Sequence, residues 1–359
     1  MMGFRSCLAA WGLLVSCTTA PAAAPPVEVR VDPRIELASV VFHLSGERLG
    51  WTDGNLRSEY RTRALETFAP YRKHPAVKAA AALRAGYSDP AEAILHFGNP
   101  PDLAERAPIP ADAMRALGGE EAVRAWIEGL RAFARDTSFM AWFASERVSH
   151  EAMAEEVWAL LAPLRVGDAL ADYYGGPTLR TRLILAPLVY RQIGFGPQVV
   201  LPDGVIEAIS VQGPKGVRDG MPYFVERGTE AAFVGVLLHE FGHSVVNPST
   251  ARVPEHVAAL APLYDPIRKE MRKAAYGTWQ IALNEHLVRA STIRIAALRF
   301  PPEMAAGVAR SQRAEGFAYL DILVRGLQED YEARRAEVRT WTEALPALLE
   351  RLEREGTVP

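Results

Sequence analysis

The sequence predicts an α+β fold, mostly helical, with a small β-sheet next to one buried helix. Three observations predict it. Apolar residues recur at helical spacing through much of residues 33–165. Short runs rich in β-branched residues crowd between Thr181 and Val211. Helical periodicity then returns at Thr229 and dominates the rest of the chain. At 359 residues the chain can bury a full core and divide into several regions.

Composition excludes several classes. The only cysteines are Cys7 and Cys17, so the body has neither a disulfide framework nor a thiolate metal site. A net charge of −3 gives no electrostatic footprint for nucleic acid, and none is expected as a partner. No apolar stretch reaches the roughly twenty residues of a spanning helix.

The first element is an address. Arg5 precedes a short apolar run from Cys7 to Val15, the pattern of a secretory signal over residues 1–16. Leu14-Val15-Ser16-Cys17 resembles the bacterial lipobox, which implies acylation of Cys17 and an exported, membrane-anchored lipoprotein on the periplasmic or cell-surface side. Thr18 in place of Asp makes an outer-membrane destination plausible. The alternative is an ordinary signal cleaved after Ala20 or Ala24. Residues 17–32, rich in proline and alanine, read as a lipidated tether.

Residues 33–175 read as a helical N-terminal region. Helical spacing covers 35–44, 62–71, 75–85, 119–135 and 147–162. His74-Pro75 reads as a helix entry, and Asp89-Pro90 as a start with Asp89 as cap. Residues 176–250 hold a sheet and one helix. Thr181–Val189, Gln198–Leu201 and Val205–Val211 read as strands, and the last can offer an edge to an extended peptide. Thr229 caps the helix that follows, and Asn247-Pro248 should stop it. Residues 251–359 read as a helical C-terminal region. It has a long helix over about 278–299 and a charged one over 312–353 that breaks near Pro346.

The chemistry lies in His239-Glu240-Phe241-Gly242-His243. Imidazoles one turn apart project from one face toward one point. Two neutral imidazoles suit Zn²⁺, which lowers the pKa of a bound water toward about 7. Glu240, beside them, can accept that water's proton. A catalytic zinc needs a third protein ligand. The metzincin extension fails, because Val246 and Ser249 stand at its Gly and His positions. Glu255, His256, Asp265, Glu270 and Glu285 remain. Glu285 is preferred because it sits on a strong helix whose Ile281, Val288 and Ile295 can pin it to the core. The other six histidines read as structural, His256 and His286 least firmly.

Asn284-Glu285 resembles the start of the third-ligand helix of gluzincins such as thermolysin-like peptidases. The resemblance implies a zincin-like fold and a zinc metallopeptidase acting on a peptide or protein. Those enzymes carry Asp four positions after the ligand Glu, where this chain has Arg289. Arg289 can pair with Glu285, Glu240 or a substrate carboxyl group, or be structural. Tyr276 lies at a spacing similar to their oxyanion-binding tyrosine, with a packed core role as the alternative and Tyr264, Tyr319 and Tyr331 as rivals. Several segments together resemble an uncharacterised bacterial family, domain of unknown function 4932. They are Asp32–Leu37 with Ser39–Phe42, His74–Val77, His239–Pro248 and Asn284–Ala290. Two other functions stay open: a lipid-anchored binding protein on a zincin scaffold, and a zinc amide hydrolase acting on cell-wall peptides.

Overall fold

In the computed structural model, which describes residues 27–46, 56–83, 88–176, 178–189 and 194–356, the chain enters as a strand where a tether was expected. Strand β1 (Glu28–Val31) forms because Val27, Val29 and Val31 alternate with Glu28 and Arg30, a period of two. The signal segment, Cys17 and the tether up to Pro26 lie outside the described residues.

Among the described residues nine α-helices follow, and several of their starts have a local cause. In α1 (Pro33–Ser45), Asp32 accepts from the Arg34 N–H at 3.0 Å, Pro33 opens the helix, and Gly46 ends it at φ 72°. In α2 (Glu59–Phe68), Ser58 accepts from the Arg61 N–H at 3.1 Å. In α3 (Pro75–Ala81), His74 accepts from the Ala76 N–H at 3.1 Å, so the His-Pro entry is present. In α4 (Asp89–Ile94), Ser88 holds the cap position and Asp89 lies inside the first turn, one place later than expected. Next come α5 (Ala111–Ala116), α6 (Glu120–Asp136), α7 (Phe139–Ser145), α8 (Arg147–Leu161) and α9 (Val166–Tyr174). The apolar stripe of α6 buries Val123, Trp126, Ile127, Leu130 and Phe133.

Strands β2 (Leu179–Leu185), β3 (Gly194–Phe195), β4 (Gln198–Val200) and β5 (Ile206–Gln212) complete the sheet, in the order β1-β2-β5-β3. β1 and β5 both run parallel to β2, whereas β3 and β4 pair antiparallel with β5. β5 is therefore interior and cannot offer the edge expected of Val205–Val211. The segment 194–200 forms that edge. A small hairpin, β6 (Gly216–Arg218) and β7 (Met221–Tyr223), leads out.

The two faces of the sheet carry separate cores. Leu183, Leu185 and Ala208 join the core of the C-terminal helices, while Ile184, Ile209 and Val211 join that of α1 and α6. One end of the second face is ionic. Arg34 grips Asp32 through two hydrogen bonds of 2.8 and 2.7 Å, and both residues are fully buried. Arg106 and Arg182 converge on buried Glu207 at 2.8 and 3.4 Å, and Arg182 also reaches Glu28 at 2.9 Å. Burial alone would raise the Asp32 carboxyl, but Arg34 and Arg30 outweigh it and hold it well below its ordinary value.

The C-terminal elements are α10 (Glu230–Ala251), α11 (Pro254–Ala259), α12 (Arg268–Lys273), α13 (Trp279–Arg299), α14 (Pro302–Ala314), α15 (Leu320–Gly326) and α16 (Trp341–Glu355). Thr229 precedes α10, but its hydroxyl donates to the Glu226 carbonyl and caps nothing in the helix. Pro248 does not stop α10, which continues to Ala251. Ser249 donates to the Val245 carbonyl at 2.7 Å, and the Thr250 hydroxyl reaches Asn284 at 2.7 Å. These contacts hold the last turn past the proline. Pro346 likewise lies inside α16, whose Leu345, Leu348, Leu349 and Leu352 face is buried and whose first turn has a Thr340–Glu343 capping box. The break falls before α16 instead. Among the described residues, no helix is long and apolar enough to cross a membrane.

Asp32→Ala should cost about 3–5 kcal/mol in chemical denaturation, because it leaves Arg34 buried without its carboxylate. A loss below about 1 kcal/mol would show that the ionic end of the sheet is dispensable.

Candidate metal centre

Helices α10 and α13 build the centre. Gly242 lets them meet: a Cβ there would lie 2.7 Å from the Tyr174 hydroxyl and 3.2 Å from a Val288 methyl. On α13, Thr278 caps by accepting from the Ile281 N–H at 3.3 Å. Val288 and Ile295 are buried as expected, while Ile281 is exposed and pins nothing.

His239, His243 and Glu285 come together and could hold a metal ion. The two Nε2 atoms lie 3.1 Å apart, and the Glu285 oxygens lie 3.4 Å from each of them. A tetrahedral ion with bonds of about 2.0–2.1 Å spaces its ligands at about 3.3–3.4 Å. Glu285 Oε2 is buried without a hydrogen-bond partner, an arrangement costly for a carboxylate unless a cation faces it. The donor set of two imidazoles and one carboxylate thus fits a divalent ion.

The other third-ligand candidates do not reach the centre. Glu255 and His256 are exposed on α11. Asp265 pairs with Arg268, and Glu270 with Lys273 at 2.9 Å. The rival tyrosines are committed elsewhere: Tyr264 donates to the Tyr276 carbonyl, Tyr319 to Leu263 and Tyr331 to Tyr173. Tyr276 alone of the four stands beside the centre, with its hydroxyl 3.4 Å from Arg289. Arg289 lies 3.5 Å from Glu285, donates to Gln312 at 3.1 Å, and stacks 4.4 Å over Phe317.

Two neighbours were missed in the sequence. Asn247 takes the Nδ1 side of His243 at 3.1 Å, which leaves Nε2 as the ligand atom. Its spacing of four from His243 was visible, but the expected stop at Asn247-Pro248 hid it. Gly196, on the sheet edge, lies against Glu240: a Cβ there would meet Glu240 Oε2 at 2.6 Å. No local signal links those two residues.

The charges are mutually dependent. Burial lowers His239 to about 3, so it is neutral and ready to ligate. Burial would also lower His243, but the Glu285 carboxylate outweighs it and raises the imidazole above its ordinary value. Burial would raise Glu285, but His239, His243 and Arg289 bring it down to about 2. Burial pushes Glu240 up to about 7, and His243 offsets only part of the rise. Burial and Glu285 raise the Tyr276 phenol to about 12.

The fold and the site define an α+β protein whose His-His-Glu centre can hold a metal ion. The chain belongs to the family described as Domain of unknown function (DUF4932), whose model matches residues 27–350. No curated protein and no solved structure matches it.

Metal uptake should release a proton from His243, because the raised imidazole must be neutral to ligate. Affinity should therefore rise with pH up to the folded His243 pKa and flatten above it. Calorimetry in buffers of different ionisation enthalpy reads this directly; pH-independent affinity below neutrality would contradict it.

Proposed function

We propose that this protein is a gluzincin-type zinc metallopeptidase, exported and anchored to a membrane by a lipid on Cys17. One observation carries the reading: a three-ligand group stands next to Glu240, a fourth ionisable residue whose carboxyl is poised near neutral pH. Zinc suits two imidazoles and one carboxylate with no thiolate in the body of the chain. When bound, zinc supplies a Lewis acid that makes a water molecule acidic enough to attack at neutral pH.

The chain's own residues do the rest. Glu240 takes the proton of the attacking water and returns it to the leaving amine. Tyr276 stays protonated at neutral pH and can donate to the oxygen that gains charge. Arg289 only donates, so the Tyr276 oxygen accepts from it and keeps the phenolic proton for use.

A peptide can lie along the edge segment 194–200, adding a strand to the sheet. Gly196 brings that edge to Glu240 with no side chain between them. The anchor keeps the reaction near the membrane: extended, the tether from Thr18 to Val27 spans at most about 35 Å.

Purified protein should carry zinc near one equivalent. His239→Ala should lose it. Glu240→Gln should retain it and lose at least about 100-fold in turnover of a peptide mixture. A Glu240→Gln variant as active as wild type would sink the reading. Cys17→Ser should abolish incorporation of labelled fatty acid and move the protein out of the membrane fraction; unchanged labelling would refute the anchor.

A further inference from the structure

We propose that Arg289 is the anchor for a substrate carboxylate, so that the preferred substrates are peptides carrying a carboxylate just beyond the scissile bond. The proposal rests on the metallopeptidase reading and names the substrate class for it. Arg289 is the cation of the centre, and the one carboxylate near it, Glu285 at 3.5 Å, is shared with both imidazoles.

Its side chain is 10% exposed, similar to His239 at 10% and Glu285 at 9%. Phe317 below and Gln312 at Nη1 fix the plane of the guanidinium. Both are neutral. Nη2 makes only long contacts, 3.4 Å to the Tyr276 hydroxyl and 3.5 Å to Glu285 Oε2. Nε is buried with no partner at all. The Nε–Nη2 edge, which matches a carboxylate with two parallel hydrogen bonds, is therefore the unused one.

Glu285 does not consume that edge. Its oxygens each face an imidazole nitrogen at 3.4 Å, and the contact to Arg289 is longer than an ordinary charged hydrogen bond. Nor does the local charge balance. Glu285 and Glu240 supply at most two negative charges against a divalent ion and Arg289. An anionic ligand closes that gap, since the one carboxylate beside this buried guanidinium is shared with the metal ligands. Two sources share this chemistry: the free C-terminal carboxylate of a peptide, and an acidic side chain next to the cleaved bond.

The test uses the zinc-loaded full chain and three versions of one short peptide: a free C-terminal acid, its C-terminal amide, and an amide with Glu after the cleaved bond. The acid should be turned over at least tenfold better than the plain amide in kcat/KM. Arg289→Gln should bring that ratio to about one, and Arg289→Lys should keep part of it. Binding gives an independent readout. In the Glu240→Gln protein, calorimetry should show the acid binding at least tenfold tighter than the plain amide, with the difference lost on adding Arg289→Gln. A preference for the Glu-containing amide over the free acid supports the proposal with the side chain as source. Equal binding and cleavage of all three peptides by the wild-type residue at 289 overturns it. Absence of any cleavage would count against the peptidase reading, and the binding comparison would still judge Arg289.

Discussion

The packing of α10 against α13 through Gly242 is the constraint on which the centre depends. His239 and His243 are fixed by one helix, but Glu285 reaches them only if the second helix comes close. A Cβ at position 242 would lie 2.7 Å from the Tyr174 hydroxyl, closer than real Cβ atoms come, and 3.2 Å from a Val288 methyl, a tight contact. A side chain there would force Tyr174 on α9 aside and crowd Val288 on α13. The second x of His-Glu-x-x-His, chemically silent in the motif, thus leaves room for α9 and α13 against α10.

Charge depends on that packing in turn. Two buried imidazoles and a buried carboxylate are each unfavourable alone, and together they offset one another. A cation is the natural partner of such a group, because it replaces the proton shared between His243 and Glu285. Asn247 contributes from the other side of the His243 ring by fixing which nitrogen carries hydrogen. His239 has no such partner, and its Nδ1 is buried and unsatisfied.

The centre was more legible in the sequence than the fold around it. His239 and His243 announce themselves by one-turn spacing, and Glu285 by standing on a long helix with apolar residues at helical spacing, since both signals are local. The failures came where distant contacts decide. Val27, Val29 and Val31 alternate as a strand should, but four residues beside a proline-rich stretch form a strand only because β2 is there to pair with. Pro248 and Pro346 read as breakers because the local rule ignores the buried faces that hold α10 and α16 together. β5 read as an edge because the antiparallel return of 194–200 onto it leaves no trace in residues 205–211. Gly196 was invisible for the same reason.

That return also explains why the N-terminal region belongs to the same machine. Val199 and Phe195, on the edge segment, bury their side chains among α1 and α6 residues rather than in the core under α10. The edge that meets Glu240 is therefore positioned by the core of the helical region, while the ligands are positioned by the other core. The ionic end of the sheet fastens β1 to β2 and β5 and so holds the two cores to one frame. Glu240 on α10 and Gly196 on the sheet edge thus meet through elements packed in two different cores.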